Sequence, residues 1–136
     1  MKPYQHTVQY YETDKMGITH HSNYIRWMEE ARVDLLVQLG WNLEKLESMG
    51  LFIPVVALSI QYKRPTAFPD RITIHVSLTE LRGVRMALEY KMYHEDGALV
   101  CTARSEHCLL NKDGRIVRIQ KECPEFWTVL QNTLEG

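Results

Sequence analysis

The spacing of the apolar residues changes once along the chain, and this change restricts the possible folds most strongly. Between residues 24 and 39, apolar side chains recur three or four positions apart, at Tyr24, Trp27, Met28, Ala31, Leu35 and Leu39. This spacing predicts one long amphipathic helix that ends at Gly40. From residue 56 onward, apolar residues alternate with polar ones, which predicts strands with one buried face. The chain therefore combines one early, long helix with a sheet.

Additional apolar residues widen the surface of this helix beyond one stripe, at Ile25, Val33, Leu36 and Val37. This width predicts a helix that is covered on more than one side. A second, shorter helix is expected from Leu43 to Met49, with Asn42 as its cap and Gly50 behind it. Pro124 is expected to open a terminal helix.

The alternating runs predict three strands, over residues 56–63, 72–79 and 84–92. The Asp-Gly pairs at 96–97 and 113–114 are typical of hairpin turns and predict a fourth strand over about 98–110 and a short fifth from about residue 115. Short connections favour antiparallel pairing. Because the apolar face of this sheet must be covered, we expect an α+β fold in which a curved antiparallel sheet of about five strands wraps around the long helix.

Composition excludes several classes of protein. The chain has 136 residues, without a linker or repeat, so we expect one domain over residues 1–136. Sixteen basic against seventeen acidic side chains give a formal charge of −1, which argues against nucleic-acid or membrane binding through bulk charge. The longest apolar run, over residues 51–60, is far shorter than the roughly 20 residues of a membrane span.

The cysteines and the amino end indicate a cytoplasmic location. Three cysteines without CxxC spacing favour neither a disulfide framework nor a zinc site. The amino end lacks the plan of a secretion signal. A chain of this length leaves little apolar area for a deep private cavity, so an active site is expected to need a neighbouring subunit.

Residues 10–24 (YYETDKMGITHHSNY) hold the densest set of chemically active side chains. Asp14 and Gly17 lie in a loop that leads to a helix amino terminus, where unpaired N–H groups can hold a carbonyl oxygen as it becomes an oxyanion. A nearby aspartate can attack the carbonyl or take a proton from water. Because a thiolate leaves without a strong general acid, this arrangement suits thioester hydrolysis best. The alternative is that Asp14 and Gly17 only form a turn and cap.

This segment resembles the signature of the 4-hydroxybenzoyl-CoA thioesterase branch of the hotdog-fold superfamily, especially its YbgC-like acyl-CoA thioesterases. The matching positions are Tyr11, Glu12, Thr13, Asp14, Gly17, His21, Asn23, Tyr24, Trp27, Glu29, Glu30, Ala31 and Arg32. The resemblance extends over essentially the whole chain and implies a hotdog fold, a long helix wrapped by an antiparallel sheet.

The resemblance also implies roles for individual residues. Asp14 corresponds to the catalytic carboxylate, as nucleophile or general base, and the backbone N–H of His21 to the donor for the thioester carbonyl. Tyr10 lies where some relatives have a supporting tyrosine. His20 replaces an aromatic residue that is frequent in the family, so either imidazole could take part. Gly17 and His20 are expected to contact the substrate.

Aromatic and basic residues are further candidates for substrate binding. Tyr24 and Trp27 could line an acyl pocket, or they could simply form core. Arg64, Arg82 and Arg85 could bind the phosphates of coenzyme A, or they could be ordinary solvated side chains. His20 and His21 are adjacent and point apart, so no metal site is expected. No cofactor is expected either.

The sequence therefore predicts an acyl-CoA thioesterase, with acyl carrier protein as a possible alternative thiol carrier. By resemblance, the protein should form a homodimer or homotetramer with active sites between subunits. Two alternatives remain open. One is a hotdog dehydratase or hydratase, and the other is a non-catalytic module that binds acyl thioesters.

Overall fold

The computed structural model describes residues 1–134 and consists of six strands and four α-helices. The strands are β1 (Tyr4–Thr7), β2 (Val55–Tyr62), β3 (Arg71–Arg82), β4 (Arg85–His94), β5 (Leu99–Leu110) and β6 (Ile116–Val117). The helices are α1 (Ser22–Gln38), α2 (Leu43–Ser48), α3 (Ile119–Glu122) and α4 (Pro124–Thr133). A 3₁₀ turn, Tyr10–Glu12, precedes α1. This turn and α3 were not predicted.

The strands join in one sheet in the order β1-β3-β4-β5-β2, and β6 pairs with β5. β1 runs antiparallel to β3 with Tyr4 opposite Ile74, and β5 runs antiparallel to β6 with Leu109 opposite Val117. The predicted Asp-Gly hairpins lie between β4 and β5 and between β5 and β6. β1 and β2 are therefore the two ends of the hydrogen-bonded series.

The contacts within the chain define two compact units. The first contains Met1–Leu35, Ile60–Val76 and Tyr90–Ala103. Its fully buried side chains include Trp27, Met28, Ile72, Ile74, Tyr90 and Met92. The second contains Leu36–Ser59, Ser77–Glu89 and the chain from Arg104 onward. Its buried side chains include Trp41, Leu46, Leu78, Leu109, Ile119 and Phe126.

The helix α1 agrees with the prediction within two residues at each end. The five predicted stripe residues from Tyr24 to Leu35 are buried, and Leu39 is half-buried. Gly40 follows with a φ of +80°, a conformation that glycine adopts without steric cost, and this ends the helix. The expected cover on a second side is partial in the single chain: Leu36 is buried and Val33 is half-buried, whereas Ile25 is 45% and Val37 is 55% exposed.

The strand β2 differs most from its prediction. An alternating strand should bury every second side chain, yet seven of its eight residues are exposed. Val55, Val56 and Leu58 retain 46%, 49% and 40% of their accessible surface. The expectation of one buried face is therefore wrong for β2 in the single chain. The physical reason is that burial of a strand's face depends on what packs over it, and in the single chain both faces of β2 are exposed.

Candidate active site

Residues 13–19 form a closed loop immediately before α1. Thr13 and Thr19 form an antiparallel bridge at its base. Within the loop, the Asp14 N–H donates to Ile18 O at 2.9 Å, and the Gly17 N–H donates to Asp14 O at 3.0 Å. Gly17 has a φ of +79°, which side chains other than glycine rarely adopt. The turn expected from Asp14 and Gly17 is therefore present.

One carboxylate oxygen of Asp14 stabilises this turn. Asp14 Oδ1 accepts a hydrogen bond from the Met16 N–H at 2.8 Å. Within residues 1–134, no hydrogen bond or ion pair involves Asp14 Oδ2. The side chain is half-buried. Asp14 can therefore form the turn with one oxygen and still present the other oxygen to a ligand.

The backbone amides at the start of α1 are engaged, with one exception. The His20 N–H donates to the carbonyl of Glu12, and the Ser22 N–H donates to Nδ1 of His20. The N–H groups of Asn23 and Tyr24 donate to the carbonyls of His20 and His21. Within the described chain, the His21 N–H has no acceptor. The amide that the resemblance singled out is thus the one left available at this helix end.

A cavity of about 340 Å³ adjoins His21 and has aromatic walls. It is lined by Ile18, Thr19, His21, Tyr24, Tyr62, Lys63, Arg64 and Pro65. The Tyr24 and Tyr62 rings meet edge to face at 5.1 Å. The Tyr62 hydroxyl donates to the carbonyl of His21 at 3.1 Å. A side chain of β2 therefore holds the residue whose N–H is free, through its carbonyl. Tyr62 was not among the predicted site residues.

Buried hydroxyl groups support one wall of this cavity. Thr66 Oγ1 lies 2.9 Å from the Tyr24 hydroxyl and 2.7 Å from Thr19 Oγ1. The Thr19 hydroxyl also donates to the carbonyl of Thr66 at 3.2 Å. Burial raises the pKa of Tyr24, which keeps its phenol protonated and able to donate.

A second cavity, of about 590 Å³, adjoins the same helix start and is more polar. It is lined by Tyr11, Glu12, Thr13, Asp14, His20, Ser22, Asn23, Arg26 and Glu30. Asp14 and His20 thus open to this cavity, whereas His21, Tyr24 and Arg64 line the aromatic one. The two predicted imidazoles stack on each other at 4.2 Å, and both are exposed.

Glu12 is a buried acid to which the sequence analysis gave no role. It is 4% exposed and accepts hydrogen bonds from the Gln9 N–H, from His6 Nε2 and from Trp27 Nε1, all at 2.8 Å. Burial alone would raise the pKa of Glu12, but these hydrogen bonds outweigh burial and the pKa lies below its ordinary value. The signal in the sequence was an acid two residues before Asp14.

The remaining candidates have other neighbours. Tyr10 is 77% exposed, and its ring meets the edge of Phe68 at 5.8 Å. Trp27 is fully buried and bonded to Glu12, which favours the core interpretation. The three arginines each have a carboxylate partner: Arg64 pairs with Asp96, Arg82 with Glu80 and Arg85 with Glu106. Arg82 and Arg85 belong to the second unit.

Other chemical groups give no alternative centre in the described part of the chain. Residues 1–134 contain no cluster of three or more histidine, cysteine or acidic side chains that could hold a metal ion. The three cysteines are free thiols and buried, and burial raises the pKa of Cys101 to about 11. A thiol with such a pKa is a poor nucleophile near neutral pH. Among these residues, no helix is both long and apolar enough to cross a bilayer.

Comparison with known proteins shows the family of this chain. The family model of the thioesterase-like superfamily matches residues 8–132. The chain belongs to the thioesterase-like superfamily. A protein of Aquifex aeolicus is 40% identical over 122 residues, which cover 90% of this chain and 94% of that protein. The 1,4-dihydroxy-2-naphthoyl-CoA hydrolase of Thermosynechococcus vestitus is 32% identical over 111 residues, 81% of this chain and 76% of the relative.

The crystal structure of the DHNA-CoA thioesterase from Staphylococcus aureus superimposes with a TM-score of 0.92. It is 26% identical, and the match covers 96% of this chain and 89% of the other. The predicted α+β hotdog fold and the predicted enzyme class, a thioester hydrolase, are thereby confirmed.

Proposed function

We propose that this thioesterase-superfamily member hydrolyses acyl-CoA thioesters, with Asp14 as nucleophile or general base and the His21 N–H as donor to the carbonyl oxygen. The observation that carries the proposal is the unused His21 amide at the start of the 17-residue helix α1. The Thr13–Thr19 bridge closes the Asp14 loop just before that helix start.

The proposed roles follow from charge. The amino end of a helix carries a partial positive charge, and a backbone donor aimed at a developing oxyanion contributes about 10²–10³-fold in rate. The leaving thiolate, with a parent pKa of about 8.5, departs without a strong acid. One acid and one free amide are therefore sufficient for thioester hydrolysis.

The aromatic cavity is the proposed acyl site. Its volume of about 340 Å³ and its tyrosine walls suit a planar or short acyl group. Two similar proteins are named for a naphthoyl-CoA or DHNA-CoA substrate, and such a substrate is consistent with a planar acyl group. Lys63 and Arg64 on the same cavity supply cations for the phosphates of the thiol carrier, coenzyme A or a carrier protein. Gly17 and His20 would contact the substrate from the Asp14 loop, and Tyr10 stays a predicted supporting residue.

We also propose that the chain, as one functional domain over residues 1–136, works in the cytoplasm as a homodimer or homotetramer with sites between subunits. The exposed apolar side chains of β2, at an end of the sheet, support pairing with a second copy. The free cysteines are consistent with a reducing compartment.

The test is the substitution Asp14→Asn, with thiol release measured over a panel of aromatic and aliphatic acyl-CoAs. An asparagine Oδ1 can still accept from the Met16 N–H, so the turn should persist while the charge is lost. We expect kcat to fall by at least about 100-fold with an unchanged melting temperature. Asp113→Asn, at an exposed acid, is the matched control and should keep full activity. Normal thiol release by Asp14→Asn would refute the proposal. Ligand saturation of the parent chain without thiol release would identify a binding module instead.

A further inference from the structure

We infer that the Glu12 carboxylate is a positioning group that holds the Asp14 loop against the start of α1. This inference rests on the proposed function. Glu12 lies two residues before Asp14, and its side chain joins three segments of the first unit. Oε1 accepts from His6 of β1 and from the Gln9 N–H, and Oε2 accepts from Trp27 in the middle of α1.

The main chain of Glu12 completes the connection. Its carbonyl accepts the His20 N–H at 2.8 Å and the Asn23 Nδ2 at 2.9 Å. His20 lies just before α1 and Asn23 lies in its first turn, on either side of the free amide of His21. Glu12 therefore joins the chain that enters the Asp14 loop to the chain that leaves it. A displacement of Glu12 would change the distance between Asp14 and His21.

The side chain at position 12 must be a carboxylate, because both of its oxygens face donors. A glutamine has one oxygen and one NH₂ group in their place. If its NH₂ group takes the place of Oε2, it meets the indole N–H of Trp27. If it takes the place of Oε1, it meets the backbone N–H of Gln9. Either orientation sets two donors against each other in a buried site, and the side chain must move away.

The surroundings leave little room for compensation. The His6 ring lies 4.7 Å from the Trp27 ring, and its other nitrogen lies 3.4 Å from Glu30. Glu30 in turn accepts from the Tyr4 hydroxyl at 2.7 Å. A shift of residue 12 should therefore move the Asp14 side of the loop rather than β1 or the helix, because the other side of the loop is held at Thr19 by hydrogen bonds to Thr66.

The test uses Glu12→Gln, Trp27→Phe and the double variant, with Glu47→Gln on the exposed side of α2 as the matched control. Thiol release is measured well below each melting temperature, together with binding of a non-hydrolysable thioether analogue of an accepted acyl-CoA. A misplacement of about 1 Å costs about 100-fold in rate. We therefore expect Glu12→Gln to lower kcat by this order and to leave KM and analogue binding within about twofold. Glu47→Gln should keep the parent kcat.

The double variant provides the readout that a purely structural role would not change. With phenylalanine at position 27 the indole donor is gone, so the NH₂ group of glutamine no longer meets a donor at that position. We expect the double variant to recover at least about tenfold in kcat over Glu12→Gln alone.

Two results would overturn the inference: full activity of Glu12→Gln, or a double variant whose kcat is no higher than that of Glu12→Gln. If Glu12→Gln does not fold, the double variant should still fold and release thiol. A double variant that is unfolded or inactive would then overturn the inference as well. Activity of Asp14→Asn would refute the proposed function, whereas an inactive Asp14→Asn with a fully active Glu12→Gln would refute this inference alone.

Discussion

Thr66→Val should destabilise the chain by an amount that the buried hydroxyl groups determine. Three hydroxyl protons can be assigned along one path: Tyr24 donates to Thr66 Oγ1, Thr66 donates to Thr19 Oγ1, and Thr19 donates to Thr66 O. Valine has nearly the same shape as threonine but removes the first two bonds. The Tyr24 hydroxyl, in a side chain that is only 3% exposed, then loses its acceptor.

The expected loss of stability follows from the buried Tyr24 hydroxyl that is left without an acceptor. Leaving a buried hydroxyl unsatisfied costs about 1–3 kcal/mol, so we expect the free energy of unfolding to fall by about 2 kcal/mol. For a chain of 136 residues this corresponds to about 7 °C in melting temperature. Tyr24→Phe removes the donor itself and should cost about 1 kcal/mol through the lost bond.

A double-mutant cycle measured by urea unfolding tests the assignment. In the Tyr24→Phe background, Thr66→Val leaves no tyrosine hydroxyl without an acceptor. The double variant should therefore lose about 1 kcal/mol less than the sum of the single variants. If the losses add within about 0.3 kcal/mol, the two groups are not coupled and the proposed path is wrong.

Three further outcomes are expected. The pKa of Glu12 is lowered in the folded chain, so its contribution to stability is complete above the ordinary glutamate pKa of about 4.3 and is lost as the pH falls through the lower folded value. The free energies of unfolding of the parent and of Glu12→Gln, measured in urea between pH 7 and 3, should converge at the acid end. A constant difference between the two curves would contradict this. Asn42→Ala removes the acceptor of the Lys45 N–H at 2.8 Å and should cost about 1 kcal/mol in urea unfolding, whereas Asn42→Asp should not. Leu58→Asp, on β2, should lower the mass measured by light scattering if copies pair through that strand, and an unchanged oligomer would argue for another interface.

The sequence predicted the elements that depend on local spacing. The apolar residues from Tyr24 to Leu35 recur with a helical period, and Gly40 ends the segment, so α1 follows from short-range rules. The same holds for the Asp-Gly hairpins and for the cap at Asn42, whose side chain accepts from the Lys45 N–H as expected. The short helix α3 carries too few residues for a periodic signal.

Properties set by distant residues could not be predicted in this way. The alternation in β2 is real, but its exposure depends on the strand's place in the sheet. Glu12 was visible as part of a motif, yet its partner Trp27 is 15 residues away and the bond depends on how the loop folds back on α1. Tyr62 is 41 residues from His21, so its hydrogen bond to the His21 carbonyl is a tertiary property.

The bond between Glu12 and Trp27 also limits how this part of the chain can evolve. An acid at position 12 and an indole at position 27 form a matched pair, and a single substitution of the acid by its amide sets a donor against either the indole or the Gln9 N–H. Lineages that replace one of the two residues should therefore tend to replace both. The two positions are expected to vary together among related sequences, although fifteen residues separate them.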